Sequence, residues 1–524
     1  MFSVLTSAAL IPLVDPEWQL FLEVVPEDHF LRRLLQAIDF EAFRPILESA
    51  YRGFGRPPLD SVFMMKLELL ARQHRLSDRE VIAAARFNIA FRLFLGISLK
   101  SPLPHHTLLT YFRQRLGTQR VQQVFDALVA QARGLGLVKD RLRLKDATHI
   151  IANIAVPSTI RLVAEVRDQL LEALRPFAAA RVTEEEERSE QIRLATEDAK
   201  DEERLVQRVS QLRSVLAWAD DLPQQTPFAE ASVAVREKLL AALTLAHKVL
   251  ADRDDPEAGD KVISAHDADA RRGMHGDFYE GYLLDVAMDA DSELLTAMNV
   301  LPANGNEGAD AVHLIRQEEQ AHGNDVQAVS IDGAGYRGEL LRELTDPEGL
   351  NLEVFVPPAE RIPLTVFGPD QFVMGDDGKT LTCPAGQTTH YHQRNRIDTG
   401  VIFRFSKKQC SGCPLRKECL EKETTQYRSV CKNDYQAEYE AAQAKAKTPE
   451  YAATRKEHPA IERKLSELVR RHDMRHARYR GLAKVLAQGL LTGLVVNLKR
   501  MVRLLFAPQP TRQGPVRAEV VPAS

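Results

Sequence analysis

The residue best placed to do chemistry is Asp332, which ends an apolar stretch and is followed closely by Gly333 and Gly335. The segment 329–336 (VSIDGAGY) predicts a buried strand whose last residue puts a carboxylate at the mouth of a sheet, because glycines let the backbone turn away there. An acid in that place can hold a metal ion beside a substrate. Taken by itself, Asp332 is more simply a turn residue or a helix N-cap.

Two further acids occupy related settings. Asp146 lies in 142–151 (LRLKDATHII), where alternation and β-branching predict a strand, and Glu462 lies on a helix that begins near Pro459. A cluster of carboxylates suits hard ions such as Mg²⁺ or Mn²⁺, and two such ions can assist phosphodiester chemistry. Spacing alone does not select these three acids from the 73 Asp and Glu residues of the chain.

The cysteines form a second candidate site. Cys383, Cys410, Cys413 and Cys419 include a Cys-x2-Cys pair, a spacing suited to a tetrahedral thiolate site. Zinc is the first choice of metal, an iron–sulfur cluster is the second, and reduced cysteines without a ligand are the alternative. Cys431 is left over. The spacing favours metal over disulfides, as expected in a reducing cytosol.

Charge is distributed unevenly along the 524 residues, although the net charge is only -4. Residues 451–512 carry fourteen Lys and Arg against four Asp and Glu, which predicts a surface for a polyanion. Its candidates for phosphate contacts are Arg475, Arg478, Arg480 and Lys484. The alternative is a solvated basic helix end. No apolar run reaches the length of a membrane span, so we expect a protein of the cytoplasm with no membrane partner.

The N-terminal part is predicted to be helical. Helices are expected at 61–73, with Asp60 as N-cap, at 77–86, where Ser77 and Glu80 resemble a capping box, and at 104–115, with Thr107 as cap. Helices in this arrangement fit either a helix-turn-helix-like DNA reader or an ordinary bundle.

The remaining chain alternates strands and helices, which is the α/β pattern. After the strand at 142–151, a charged helical hairpin is expected at about 158–251. A β-hairpin at 279–300 and a helix at 308–321 then lead to the strand that ends at Asp332. Asp285 and Asp289 on the hairpin are expected to be surface or turn residues. An apolar helix is expected at 481–505.

Several ordered blocks resemble the bacterial insertion-sequence transposases of the DDE type. The matching blocks are RPPLDSVFMMKLELL, HHTLLTYFRQRLG, KDATHIIANIA, GYLLDVAMDADSELLTAMNVLPAN, IDGAGY, CPAG, CSGCPLRKEC, HPAIERKL, RHARYRGLAKV and NLKRM. The resemblance implies an α/β fold, with an RNase H-like mixed sheet and flanking helices, preceded by an all-α domain. It also implies that Asp146, Asp332 and Glu462 bind Mg²⁺ or Mn²⁺.

The domain organisation expected from this resemblance has three parts. Residues 1–138 form a helical DNA-binding domain, 139–506 form the catalytic domain, and 507–524 form a disordered tail. The catalytic domain carries a helical insertion at about 158–255 and a cysteine-rich insertion at about 380–435. Double-stranded DNA is the expected partner, bound by a homodimer at the bacterial nucleoid. The N-terminal candidates for DNA contact are His106, Thr107, Arg113 and Arg115.

Glu462 is the expected third acid, with Glu457 and Glu467 as alternatives. Arg455 and His458 stand roughly where the family has a tyrosine and an arginine. The leading hypothesis is a transposase that cuts at the terminal repeats and transfers the strands. The alternatives are a catalytically inactive or repurposed transposase that only binds DNA, and a nuclease of the same fold that does not transpose.

Overall fold

A computed structural model of the chain describes residues 16–51, 59–359, 365–395, 399–422 and 424–507. Residues 1–15 lie outside these ranges, as does the expected tail beyond residue 507. The first described part is helical, with α1 (Pro16–Val24), α2 (Phe30–Ala37), α3 (Arg44–Glu48), α4 (Ser61–Gln73), α5 (Asp78–Phe87), α6 (Ile89–Leu95) and α7 (Thr107–Gly134).

Local signals placed the ends of these helices well. The Asp60 side chain accepts a hydrogen bond from the Phe63 N–H at 2.8 Å, and both bonds of the Ser77–Glu80 capping box are present. The expectation that Thr107 caps α7 is wrong, because His106 occupies the cap position and makes no side-chain cap bond. The helix also continues past Arg115 to Gly134, with a break at Gly117, where φ is 61°.

The next segment holds the first strand and the helical insertion. They comprise β1 (Arg143–Ile151), α8 (Thr159–Ala195), α9 (Asp201–Ala219), α10 (Thr226–Glu230) and α11 (Val233–Asp254). The expected two-helix hairpin is wrong in number, since α8, α9 and α11 pack on one another around an apolar core of their own. The charged residues of this insertion lie mainly on its outer faces, as amphipathic helices require.

The central sheet follows. Its remaining elements are β2 (Arg271–His275), β3 (Asp277–Asp289), β4 (Leu295–Pro302), α12 (Glu307–His322), β5 (Ala328–Ser330), α13 (Gly338–Thr345) and β6 (Glu353–Phe355). The order is β4-β3-β1-β5-β6, and β2 shares the outer edge of β3 with β4. β1 is antiparallel to β3 but parallel to β5, which is parallel to β6. The sheet is therefore mixed, as expected from the α/β pattern.

The C-terminal part contains two small three-stranded sheets and then helices. Its elements are β7 (Val373–Met374), β8 (Leu381–Thr382), β9 (Thr388–Thr389), β10 (His392–Arg394), β11 (Val401–Arg404), α14 (Lys407–Ser411), α15 (Arg416–Cys419), β12 (Ser429–Lys432), α16 (Gln436–Lys445), α17 (Pro449–Glu457), α18 (Pro459–His472) and α19 (Leu482–Leu505). Among these helices, α18 packs on β1.

One apolar core joins the N-terminal helices to the sheet through α19, which packs on α2, α4, α7 and β4. By length and composition α19 could cross a membrane, so the expectation that no apolar run is long enough is wrong. However, 67% of its apolar window is buried inside the protein, which is the behaviour of a core helix. The expected boundary at residue 138 thus separates segments that share a core.

Buried charges lie on the face of β1 that is turned toward α12. Arg143 is 0% exposed and donates to the Glu318 carboxylate at 2.6 Å, while Lys145 contacts Asp285 at 3.0 Å. Sequence reasoning put Asp285 and Asp289 at the surface or in a turn. Both are fully buried, although Asp289 does accept a turn bond from the Ser292 hydroxyl at 2.7 Å. Each charge is paired, as burial requires.

Candidate active site and nucleic-acid interface

The parallel pairing of β1 with β5 aligns two of the three expected acids, Asp146 and Asp332, on adjacent strands. Arg143 pairs with Val329 and Leu144 pairs with Ser330 in parallel. Because side chains alternate along both strands, counting two residues further puts Asp146 beside Asp332 on the same face of the sheet. Asp332 keeps extended backbone angles (φ -72°, ψ -176°). Neighbouring strands lie about 5 Å apart, so the two carboxylates belong to one locality.

Each aspartate is half-buried and is oriented by a backbone N–H. An Asp146 oxygen accepts from the Ala147 N–H at 2.8 Å, and an Asp332 oxygen accepts from the Ala334 N–H at 3.2 Å. Asp332 therefore caps the 3₁₀ turn Gly333–Gly335, which was the alternative interpretation, and it also ends the strand. A Cβ at Gly335 would lie 2.6 Å from the Ile331 side chain, so the turn needs glycine there.

The third expected acid lies in the first turn of α18. Ile461 and Leu465 are buried in the core shared with β1, whereas Glu462 next to Ile461 is exposed. The two alternative acids are held in ion pairs: Glu457 contacts Arg141 at 2.7 Å, and Glu467 contacts Lys499 at 2.7 Å. Within the part of the chain that the structure describes, Glu462 has no ion-pair partner. Of the three candidate glutamates, Glu462 is therefore the one whose carboxylate is not already held in an ion pair among the described residues.

A metal site is not assembled in the described ranges, since no three His, Cys, Asp or Glu side chains converge closely enough to hold an ion. The donor chemistry nevertheless fits a hard divalent cation, because Asp146, Asp332 and Glu462 supply only carboxylate oxygens. The first two lie on adjacent strands, and the third lies on the helix packed against the sheet. Bringing all three carboxylates to one ion would require movement of their side chains or of α18.

The junction of α17 and α18 contacts the end of β5 directly, which sequence reasoning did not predict. Arg455 donates to the Ile331 carbonyl at 2.8 Å and to the Ser330 hydroxyl at 3.1 Å. His458 shares a 3.0 Å hydrogen bond with the same hydroxyl. The only signal in the sequence was that Arg455 and His458 stand where the family has other residues.

Of the N-terminal candidates for DNA contact, Arg113 is not on an open surface. It donates to Glu68 at 2.7 Å and to Asp78 at 3.0 Å, and so ties α7 to α4 and α5. This packing does not support the expectation that Arg113 contacts DNA, because its guanidinium already donates to two carboxylates. Arg115 is exposed at 5.3 Å from the Tyr51 ring centre.

His106 and Thr107, the other two candidates at the start of α7, lie beside a third polar side chain, His105. The His106 ring is 4.1 Å from that of His105, and Thr107 is exposed and shares a 2.8 Å hydrogen bond with His105. This end of α7 therefore offers polar groups to solvent without a concentrated positive charge.

The basic segment 475–480, which follows α18, is hydrogen-bonded to the end of β1. The Ile151 N–H donates to the Arg475 carbonyl at 2.8 Å, and the Arg475 guanidinium donates to the His149 carbonyl at 2.7 Å. The segment thus extends the edge of the sheet at the end of β1. Arg478, Arg480 and Lys484 are exposed, although Arg480 also donates to the Asn153 carbonyl at 3.2 Å.

The four expected cysteine ligands border one small cavity. Cys383, Cys410, Cys413 and Cys419 line it together with Phe372, Phe405, Arg416 and Arg428. All five cysteines are free thiols, and the exposed Cys431 does not line the cavity. Burial raises the pKa of the Cys419 thiol, with the other three thiols acting in the same direction. The sequence spacing thus brings the four thiols into one neighbourhood, though not onto one point.

Comparison with known protein families gives two matches. The family described as Transposase domain (DUF772) matches residues 19–115, and the family described as Transposase DDE domain matches residues 382–502. The first covers α1 to α6 and the start of α7. The second contains the cysteine cavity, Glu462 and the basic segment, whereas Asp146 and Asp332 lie between the two matches. No solved structure matches the chain. Two transposase family models match in this order along one polypeptide, which supports an insertion-sequence transposase of the DDE type.

Proposed function

We propose that this transposase binds the terminal repeats of its element and carries out divalent-metal-dependent cleavage and strand transfer, using Asp146, Asp332 and Glu462. The observation that carries the proposal is the parallel register of β1 and β5, which aligns Asp146 with Asp332 on the face covered by α18. The strand order β4-β3-β1-β5-β6, with only the last two pairings parallel, supports an RNase H-like core. Bound Mg²⁺ or Mn²⁺ would supply charge neutralisation at the phosphate and a more acidic attacking hydroxyl.

The proposed chemistry has two balanced steps. In the first, a water oxygen bonds to phosphorus at the element end, the bond to the 3′ oxygen breaks, and that oxygen leaves as a hydroxyl. In the second, this 3′-hydroxyl bonds to a target phosphorus, and the target strand leaves with its own 3′-hydroxyl. The role of the chain is to hold Asp146 and Asp332 on rigid strands and Glu462 on a packed helix, so that little reorganisation accompanies reaction.

Cleavage of terminal-repeat DNA tests the assignment. The substrate is the DNA that flanks the gene, where inverted repeats are expected. Asp146→Asn, Asp332→Asn and Glu462→Gln should each abolish Mg²⁺-dependent nicking while leaving end binding intact. Glu457→Gln and Glu467→Gln are matched controls, because they change the same residue type near or on the same helix and should remain active. Full activity in Asp146→Asn or Asp332→Asn would overturn the proposal.

A second candidate function is DNA binding without catalysis. It is favoured by the exposed position of Glu462, which does not form a metal-binding group with Asp146 and Asp332 in the described ranges. Robust nicking of cognate ends by the purified protein with Mg²⁺ would exclude it. Nicking without joined products would instead favour a nuclease that does not transpose.

The proposed DNA surface lies at the end of β1 and on the outer face of α7. Arg478, Arg480 and Lys484 are exposed beside the end of β1, and Arg115 is exposed on α7. Contacts of this kind go to phosphates, so they supply affinity without reading sequence. Replacing Arg478 or Lys484 by Ala should remove one phosphate contact each. The slope of the logarithm of the DNA-binding constant against the logarithm of salt concentration should then fall in magnitude by about one. We further propose that the protein works in the cytoplasm as a homodimer on DNA.

We also propose that the four cysteines bind a structural metal ion, with Zn²⁺ as the first choice. The cavity lies against a small core, in which the described residues include five buried apolar side chains. A core of this size contributes little stability, and a bound metal ion would add to it. Elemental analysis of purified protein should find about one zinc per chain, lost in Cys413→Ser and retained in Cys431→Ser. A visible chromophore with bound iron would indicate an iron–sulfur cluster. Metal-free protein with unchanged stability would refute a structural ion.

A further inference from the structure

The point where α17 meets α18 is bonded to the strand that carries Asp332. Arg455 lies in the last turn of α17, His458 joins the two helices, and Pro459 begins α18. Both Arg455 and His458 reach the hydroxyl of Ser330, which is 0% exposed and lies two residues before Asp332. The helix that carries Glu462 is thus connected to the strand end by polar bonds as well as by packing.

The hydrogen-bond directions follow from the groups involved. Arginine can only donate, so the Ser330 oxygen accepts from Arg455 at 3.1 Å. A hydroxyl can accept a second bond, but its buried proton also needs an acceptor, and among the described residues Nδ1 of His458, 3.0 Å away, is the group within reach. This direction requires a neutral imidazole with its proton on Nε2. Burial, followed by the nearby Arg455, lowers the pKa of His458 to about 4, which keeps the ring neutral near pH 7.

Arg455 also fixes the backbone next to the catalytic candidate. It donates to the carbonyl of Ile331 at 2.8 Å, and the Ile331 N–H donates to the Phe355 carbonyl on β6 at 3.0 Å. Both the N–H and the carbonyl of Ile331, the residue before Asp332, are therefore hydrogen-bonded. Since His458 lies four residues before Glu462, the same bonds set where α18 starts relative to Asp332.

We infer that Arg455, Ser330 and His458 act as positioning residues that set the separation between Asp332 and Glu462. The inference rests on the proposed function, because it assigns these residues to the same three acids. Reacting groups misplaced by about 1 Å can cost 10²-fold in rate, so loss of this connection should slow cleavage while leaving DNA binding unchanged. A hydrogen-bond chain also predicts that its members act as one unit.

Single-turnover cleavage of pre-bound terminal-repeat DNA tests the inference. Ser330→Ala, the variant that changes the fewest atoms, and Arg455→Ala should each slow cleavage by about 10- to 100-fold, with unchanged Kd for the ends. Arg455→Lys should recover part of the rate. The double variant should be no slower than the slower single variant. Lys456→Ala, an exposed neighbour, is the matched control and should cleave at the wild-type rate.

Two results would overturn the inference. One is wild-type cleavage by both Ser330→Ala and Arg455→Ala. The other is additive loss in the double variant accompanied by weakened DNA binding and a lowered melting temperature, which would show a general structural effect. Failure of the proposed function looks different, because Asp332→Asn would then cleave like the wild type, or the wild type would not cleave at all.

Discussion

Acid pH should destabilise the contact between α18 and α19 through His472. This side chain is 8% exposed, and its ring nitrogen Nε2 lies 3.2 Å from the ammonium of Lys499 on α19. Burial, followed by the charge of Lys499, lowers the pKa of His472 from 6.5 to about 4. Three other groups also face the ring. Glu467 and the Arg72 backbone raise the pKa of His472, whereas Arg75 lowers it. The folded protein therefore holds a neutral imidazole.

The sign follows from the lowered pKa. The unfolded chain takes up the proton near pH 6.5, whereas the folded chain resists it until about pH 4. The stability associated with the neutral ring is thus complete above pH 6.5 and is lost as the pH falls toward 4. At pH 5 the linkage relation gives a loss of about 2 kcal/mol relative to pH 7.5 for this single group.

His472→Gln removes the titrating group while keeping an acceptor for Lys499. Hydrogen exchange of the peptides that cover α18 and α19, corrected for intrinsic rates, reports the local opening free energy. Between pH 7.5 and pH 5, the wild type should lose about 2 kcal/mol more than the variant. His476→Gln, at a side chain that is 64% exposed, is the control and should follow the wild type. Parallel pH profiles for wild type and His472→Gln would refute the reasoning.

Two further predictions concern the stability of the central sheet that carries the site, and thermal melting measures both. Gly281→Ala should destabilise the protein by about 1–3 kcal/mol or more, because the new Cβ would lie 1.9 Å from the Ile150 carbonyl on β1. Gly134→Ala, which meets nothing within 4 Å, should be neutral or slightly stabilising. Glu318→Ala should cost about 3–5 kcal/mol, since it leaves the buried Arg143 without its main partner. Glu318→Gln should cost less, and an equal loss in both would contradict this account.

The sites of this protein are built from residues that are far apart in sequence. The parallel pairing of β1 with β5 ends two residues before Asp146 and Asp332 and so aligns them, and the connection from Arg455 to Ser330 joins positions 125 residues apart. Such contacts depend on the order of strands in the sheet, so substitutions that disturb that order should affect the site even from a distance.

Local patterns in the sequence were enough to predict most individual elements. The start of α4 at Ser61, the capping box of α5, and the strand around Asp146 depend on neighbours within three or four residues, and all were predicted correctly. Short strands such as β2 and β6 were missed, because five or fewer residues carry little periodicity. Caps and periodicity are properties of the chain itself, which explains their success.

Only the tertiary structure decided which of the predicted residues are available. Arg113 has the sequence context of a DNA contact, yet packing turns it toward Glu68 and Asp78. Glu457 and Glu467 resemble Glu462 in sequence, but ion pairs across elements occupy both. The sequence alone established the residue types, the local elements and the family resemblance. The alignment of Asp146 with Asp332 depends on the long-range pairing of β1 with β5, which no local pattern encodes.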